Sequence, residues 1–302
     1  MYRRKLMNTG IVRMMIAVLA ALAILPAAAR GGGPYPVAGG SGVVGETCVH
    51  ITVYEDTLLD IARDNDLGYN EIMAANPGVD PWVPGADVEV TVPAAWILPD
   101  AEREGLVLNL AEMRLFRYFT VDGNLMVETF PVGVGREGSD TPLAEFEITE
   151  MTPFPNWYPP ETIRLEKPEL PDVVLSGPDN PLGDYKMRIG YTDYLIHGTN
   201  RPWGVGRRVS HGCIRLYPED IYKLFYEVEA GEKVNIVYQP VKAGLSGGRL
   251  MVEVHDDYTG KTDLVKAAFG EVIRKGYMDR LDAGKLYRAV KDKAGYPVDV
   301  TK

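Results

Sequence analysis

The chain has 302 residues, 46% hydrophobic and 25% charged, close to globular averages, so disorder throughout is excluded. Its formal charge of −10 opposes attraction to a phosphate backbone, which argues against a nucleic-acid partner. The one continuously apolar stretch, residues 14–25, is shorter than the roughly 20 residues that a spanning helix needs, so the mature chain is expected to have none.

That stretch reads as the core of an export signal. Arg3, Arg4, Lys5 and Arg13 precede or open it, and Pro26-Ala27-Ala28-Ala29 supplies a small-residue cleavage site. Cleavage after Ala29 removes four cations and no acid, leaving −14. The alternative is an uncleaved N-terminal anchor, and either reading puts the rest of the chain outside the cytoplasm. Residues 30–46, with Gly31-Gly32-Gly33 and Gly39-Gly40, have the composition of a flexible linker.

From His50 the pattern changes. Ile51 and Val53 alternate as a short strand, and Asp56 is placed to cap a helix carrying Leu58, Ile61 and Ala62. Asn70 is placed to cap a second helix carrying Ile72, Met73 and Ala75, which Asn76-Pro77-Gly78 ends. Val88, Val90 and Val92 alternate after the Pro84-Gly85 turn. Residues 47–95 thus read strand, helix, helix, strand.

Residues 106–110, 114–119 and 125–134 read as strands, the last two joined at Val121-Asp122-Gly123-Asn124, and 146–149 and 194–196 continue the β character. Eight prolines between 151 and 181 break helices and ladders alike, which predicts a long ordered loop. Phe154, Trp157 and Tyr158 are available to make that loop a lid, or simply to pack it down. After Tyr217-Pro218, Ile221, Leu224, Phe225 and Val228 mark one helix face. Residues 234–238 and 249–254 read as strands and 263–294 as mainly helical, so 239–302 is expected to form a C-terminal extension.

Chemistry-bearing residues are scarce: two cysteines, Cys48 and Cys213, and four histidines, His50, His197, His211 and His255. They concentrate in His197-Gly198-Thr199 and Ser210-His211-Gly212-Cys213-Ile214-Arg215. A free thiol with pKa about 8.5 becomes an effective nucleophile when an imidazole or guanidinium favours its thiolate, so Cys213 is the natural nucleophile, with Arg208 and Arg215 close in sequence. If 211–213 are extended, His211 shares a face with the sulfur, while His197 reaches it from a neighbouring strand; spacing does not choose between them. The N–H groups of Gly212 and Cys213 are candidate donors to an oxyanion. Three rival readings compete: a Cys48–Cys213 disulfide, a zinc centre from His197, His211 and Cys213, and a glycan-binding protein without catalysis.

Two family resemblances add to this. Asp56-Thr57-Leu58, Ile61-Ala62-Arg63, Asn76-Pro77 and Pro84-Gly85 before a strand ending Val92-Pro93 resemble a LysM module, with Glu55 departing from the usual Gly; the resemblance implies binding to N-acetylglucosamine-containing glycans. His197-Gly198-Thr199-Asn200 and Ser210-His211-Gly212-Cys213-Ile214-Arg215-Leu216, with Asn180-Pro181-Leu182-Gly183, Phe130-Pro131-Val132-Gly133 and Thr141-Pro142, resemble an L,D-transpeptidase of the YkuD type over residues 104–238. Ala144 departs from the usual Gly. The resemblance implies a mainly β, β-sandwich-like catalytic domain beside the βααβ module and a partly helical extension, with no cofactor and no metal. By position it implies Cys213 as nucleophile and His197 as general base and acid, with Ser210, His211, Gly212, Arg215 and Gly198 forming the substrate pocket or oxyanion site. It further implies a periplasmic enzyme of the Gram-negative envelope, acting on peptidoglycan stem tetrapeptides and glycan strands. The acyl group would pass to an amine of another stem peptide or of an outer-membrane lipoprotein lysine, or in the alternative to water.

Overall fold

The structure, a computed structural model, describes residues 33–37 and 42–302; the expected export signal and residues 30–32 and 38–41 of the expected linker lie outside them, while the rest of that segment is not free linker, since Tyr35–Pro36 and Val43–Gly45 are strands paired into the fold. Among the described residues no helix is long and apolar enough to cross a membrane. The first elements are β1 (Tyr35–Pro36), β2 (Val43–Gly45), β3 (Cys48–Ile51), α1 (Leu58–Asp64), α2 (Tyr69–Ala75), β4 (Glu89–Val92) and β5 (Ala95–Ile97). β3 and β4 pair antiparallel around the two helices, so the strand–helix–helix–strand order is present.

Both helix starts differ from the sequence expectation. Thr57 caps α1, its Oγ1 accepting from the Asp60 N–H at 3.1 Å, because Asp56 is turned to His50 Nε2 and the Val53 N–H. α2 starts from Gly68, whose N–H donates to Glu71 Oε2 at 2.7 Å, and Asn70 lies inside the helix.

Next come β6 (Gly105–Asn109), β7 (Arg114–Val121), β8 (Asn124–Pro131), β9 (Val134–Gly135), β10 (Glu145–Pro153), α3 (Glu161–Glu166), β11 (Tyr185–Ile189), β12 (Leu195–His197), β13 (Arg208–Ser210), β14 (Ile214–Arg215), α4 (Pro218–Glu227) and β15 (Lys233–Val237). A single nine-stranded sheet runs β1-β8-β7-β6-β15-β10-β11-β12-β14. β7 and β8 meet at a two-residue turn, Asp122-Gly123, both with positive φ, the geometry that matches strand twist. Leu106, Leu108 and Leu115 from one half of the sheet share a core with Met187, Ile196 and Ile214 from the other and with Ile221 and Leu224 of α4. One mainly β sheet therefore curls over a common core in place of two separate sheets. The proline-rich stretch is not wholly irregular: α3 forms inside it, and the Trp157–Val174 bridge and the buried Asn180 amide, donating to the Pro155 carbonyl at 2.8 Å, tie its ends together.

Alternate residues of the same strands, Val107, Phe116, Tyr118 and Val127, face the other way and pack with Leu58, Ile61, Leu67, Ile72 and Trp96. Between these surfaces the Arg114 guanidinium is buried against Glu71 in two parallel bonds of 2.8 and 2.9 Å and lies over Trp96 at 4.0 Å. The chain ends in β16 (Val241–Ser246), β17 (Arg249–Val254), α5 (Leu264–Arg274), α6 (Ala283–Asp292) and β18 (Val298–Asp299). Asp263 and Asp282 cap the two helices, which cover a three-stranded sheet with its own core.

Candidate active site

β12 and β14 run parallel, with Ile196 opposite Ile214 and His197 opposite Arg215. Alternation then puts His197, Arg215 and the Cys213 just before β14 on one face. That face lines a cavity of about 660 Å³ with Ser210, His211, Trp157 and Tyr158. Cys213, His197, Ser210, His211 and Arg215 are thus brought together as lining residues. Gly198 and Gly212 serve the backbone behind them.

The loop that presents Cys213 is held from three sides. Ser210 Oγ donates to the Cys213 carbonyl at 2.6 Å and accepts from the Gly212 N–H at 3.1 Å. Thr141 Oγ1 donates to the Gly212 carbonyl at 2.8 Å and accepts from the Gly135 N–H, which gives the Thr141-Pro142 motif a physical task. The Gly133 and Arg215 backbones exchange both hydrogen bonds. Gly212 has φ +103°, and a Cβ there would stand 2.5 Å from Tyr194 Cε1, so only glycine fits. Residues 211–213 are therefore not extended, and the assumed shared face of His211 and Cys213 fails. His211 Nε2 instead meets Glu166 of α3 at 3.0 Å. The Gly212 N–H, already given to Ser210, is not a free oxyanion donor. Ala144, where glycine was the family expectation, adopts ordinary backbone geometry, its carbonyl accepting from the Ile236 N–H.

His197 is buried, at 3% exposure. Its Nδ1 lies 2.6 Å from the Gly198 carbonyl; a carbonyl can only accept, so Nδ1 carries the proton and Nε2 is the basic nitrogen. Burial, reinforced by the Arg215 charge, pushes the imidazole pKa down to about 3 against the opposing pull of the Gly198 and Leu182 carbonyls. Gly198 also needs to lack a side chain, since a Cβ would meet Ile221 Cγ2 at 2.9 Å. Burial pushes the Cys213 thiol up, outweighing the Leu195 backbone hydrogen bond and Arg215. The thiol, which points at the Asp193 carbonyl at 3.8 Å, and the imidazole of the same cavity are therefore both neutral at rest. Arg215 favours the thiolate as expected, but desolvation outweighs it, so the net shift is upward.

Both cysteines are free, Cys48 exposed on β3, which removes the disulfide reading. The zinc reading loses His211, which is turned to Glu166, and the atoms of His197, His211 and Cys213 are not among those that converge. Among the described residues the ligand atoms that do converge belong to Glu112, Glu253 and His255, and the Lys242 ammonium stands between the two carboxylates at 2.7 and 2.9 Å. Two contributors were not derivable from residue chemistry in the sequence. Glu166 is one acid among several in a proline-rich segment, and Thr141 was recognisable only through the family motif.

Residues 103–236 match the family model described as the L,D-transpeptidase catalytic domain, YkuD. The chain is 38% identical to the probable L,D-transpeptidase YcfS of Escherichia coli, covering 89% of this chain and 88% of that one. It is 35% identical to the probable L,D-transpeptidase YbiS of Escherichia coli, covering 97% and 99%. The NMR structure of the catalytic domain of an Enterococcus faecium L,D-transpeptidase overlaps 46% of this chain and 99% of that one at 22% identity, with a TM-score of 0.35. With relatives of this identity matched over most of their length, the chain belongs to the YkuD family of L,D-transpeptidases.

Proposed function

We propose that the chain is a peptidoglycan L,D-transpeptidase that works through a thioester on Cys213. The observation carrying this reading is the single cavity that holds Cys213 and His197 on one strand face, with the imidazole tautomer fixed by Gly198. Sulfur attacks the carbonyl at the L-centre preceding a terminal D-Ala of a stem tetrapeptide. His197 Nε2 takes the thiol proton as the C–S bond forms and gives one to the departing amine of D-Ala as the C–N bond breaks. The Cys213 N–H, rather than that of Gly212, faces the oxyanion. The amine of a second stem peptide or of a lipoprotein lysine then attacks the thioester and restores the thiol.

The test is intact mass of the full chain after incubation with a stem tetrapeptide or a carbapenem. One adduct is expected on the wild type and none on Cys213→Ala. Cys213→Ala and His197→Ala should each remove most turnover, and combining them should remove little more, because groups acting as one unit lose activity non-additively. An adduct persisting on Cys213→Ala rejects the assignment.

The βααβ segment is proposed as a LysM module that holds the enzyme on glycan strands. Tyr54 and Trp82, 79% and 56% exposed, stand on the loops that follow β3 and precede β4, where their rings can stack on sugars. Tyr54→Ala with Trp82→Ala in the full chain should reduce co-sedimentation with insoluble peptidoglycan while leaving tetrapeptide acylation unchanged. The proposed location is the periplasm, with secreted material beginning near Arg30.

A further inference from the structure

Among the described residues, the cations that line the cavity over Cys213 are paired with protein acids except Arg215, and Lys167 and Arg201 of the neighbouring cavity also form no ion pair. Lys186 and Arg188 share Glu150, Arg208 holds Asp140, and Arg136 and His211 share Glu166. Arg215 has no carboxylate within ion-pair reach among the described residues, and its Nε is sealed from solvent without a hydrogen-bond partner. Burial, with the neighbouring Arg201 cation, disfavours the charge on its guanidinium. Arg215 lines both the cavity over Cys213 and a second one of about 300 Å³, the two meeting at Trp157, Ile163, Pro181 and His211.

A guanidinium taken out of water without an anion is costly, and its planar fork matches a carboxylate in two parallel bonds. The backbone of Arg215 is already fixed by Gly133 and His197, so strand pairing accounts for the position and leaves the side chain unexplained. We infer that Arg215 is the receptor for a carboxylate of the acyl-donor peptide. The inference rests on the transpeptidase reading above. Two carboxylates share this chemistry: that of the terminal D-Ala that leaves, and a side-chain carboxylate on the residue whose carbonyl is attacked, in donors that carry one. Either one, when bound, supplies the missing anion and stations the scissile carbonyl near the sulfur of Cys213, two positions earlier and just before the strand.

The experiment uses the full chain, as wild type, Arg215→Gln and Arg215→Lys, with three tetrapeptide donors: one with both carboxylates free, one with a terminal carboxamide, and one with a side-chain carboxamide. Release of the C-terminal residue gives kcat/KM, and intact mass gives the acyl adduct on Cys213. The wild type should lose roughly 10- to 100-fold toward one of the two amides, the range of a lost charge-assisted hydrogen bond, and the amide that suffers identifies the carboxylate. Arg215→Gln should lose as much on the free donor yet no longer distinguish it from that amide, and Arg215→Lys should recover part of the discrimination. Melting temperature should not fall in Arg215→Gln, because the charge removed is half-buried and has no protein anion beside it. Equal use of all three donors by the wild type, or discrimination that survives in Arg215→Gln, overturns the inference and leaves the transpeptidase reading standing. Absence of any adduct on wild-type Cys213 with every donor overturns both.

Discussion

The Cys213 thiol and the His197 imidazole, which line one cavity, are both held in their uncharged forms by burial. Because burial holds the Cys213 thiol above the ordinary thiol range and pushes His197 down to about 3, neither group titrates near 6.5 in the free enzyme. Iodoacetamide alkylation of Cys213 is therefore expected to rise continuously with pH through 9, with no inflection near 6.5. An early plateau or a break at the ordinary histidine value contradicts the assignment. Much of this site was legible, since scarcity of cysteine and histidine pointed at Cys213, and the family motif selected His197. The choice between His197 and His211 could not come from spacing, because it depends on the positive φ of Gly212 and on Glu166, which lies 45 positions before His211.

At the scale of elements, the loop before the Ser-His-Gly-Cys segment is docked on the small βααβ unit. The Tyr69 and Asn70 N–H groups donate to the Val205 and Gly206 carbonyls at 3.2 Å, and Arg207 lies over the Tyr69 ring at 3.5 Å. A Cβ on Gly206 would fall 2.3 Å from Tyr69 N and 2.4 Å from Gly68 Cα, both backbone atoms with no rotamer to yield. Gly206→Ala is thus expected to part α2 from this loop, lowering the melting temperature and Cys213 acylation together; a variant with normal acylation would disconnect the two elements. On the opposite side α3 reaches His211 and Arg136 through Glu166. These exposed ion pairs contribute little to stability, so Glu166→Gln should raise KM for the donor with an unchanged melting temperature. A loss of stability with unchanged kinetics would make α3 mere packing. Periodicity revealed α1, α2, α4 and the hairpin strands. It missed α3, whose six residues between prolines carry too short an apolar pattern, and it misplaced the starts of α1 and α2 because the competing hydrogen bonds of Asp56 and Glu71 are set by the fold.

Across the whole molecule, parts that composition separates are fused by buried polar contacts. Val107 and Phe116 of the catalytic sheet pack with Leu58 and Ile72 of the small unit, an arrangement hidden from the sequence, where β6 reads only as an apolar run. The deepest join is Lys242 on β16. Its ammonium, buried, donates to Glu112 before β7, to Glu253 on β17 and to the Ile97 carbonyl of β5 at 2.6 Å, while His255 reaches Glu253 at 2.6 Å. Removing one partner of such a cluster leaves uncompensated buried charge, so Lys242→Met is expected to destabilise the chain by about 3–5 kcal/mol. The loss should depend on pH. Burial raises Glu112 from 4.5 to about 7 in spite of Lys242, so the folded state keeps a proton that the unfolded chain releases between those values. Its contribution is full below about 4.5 and is lost as pH rises through 7. Without the ammonium, Glu112 faces Glu253 with less opposing charge, its pKa climbs further, and this decline continues to higher pH. Urea unfolding of wild type and Lys242→Met at pH 5.5 and 8 should give a larger difference at pH 8. An equal loss at both pH values would mean that Lys242 acts through its packing and its bond to Ile97, with its charge playing no part.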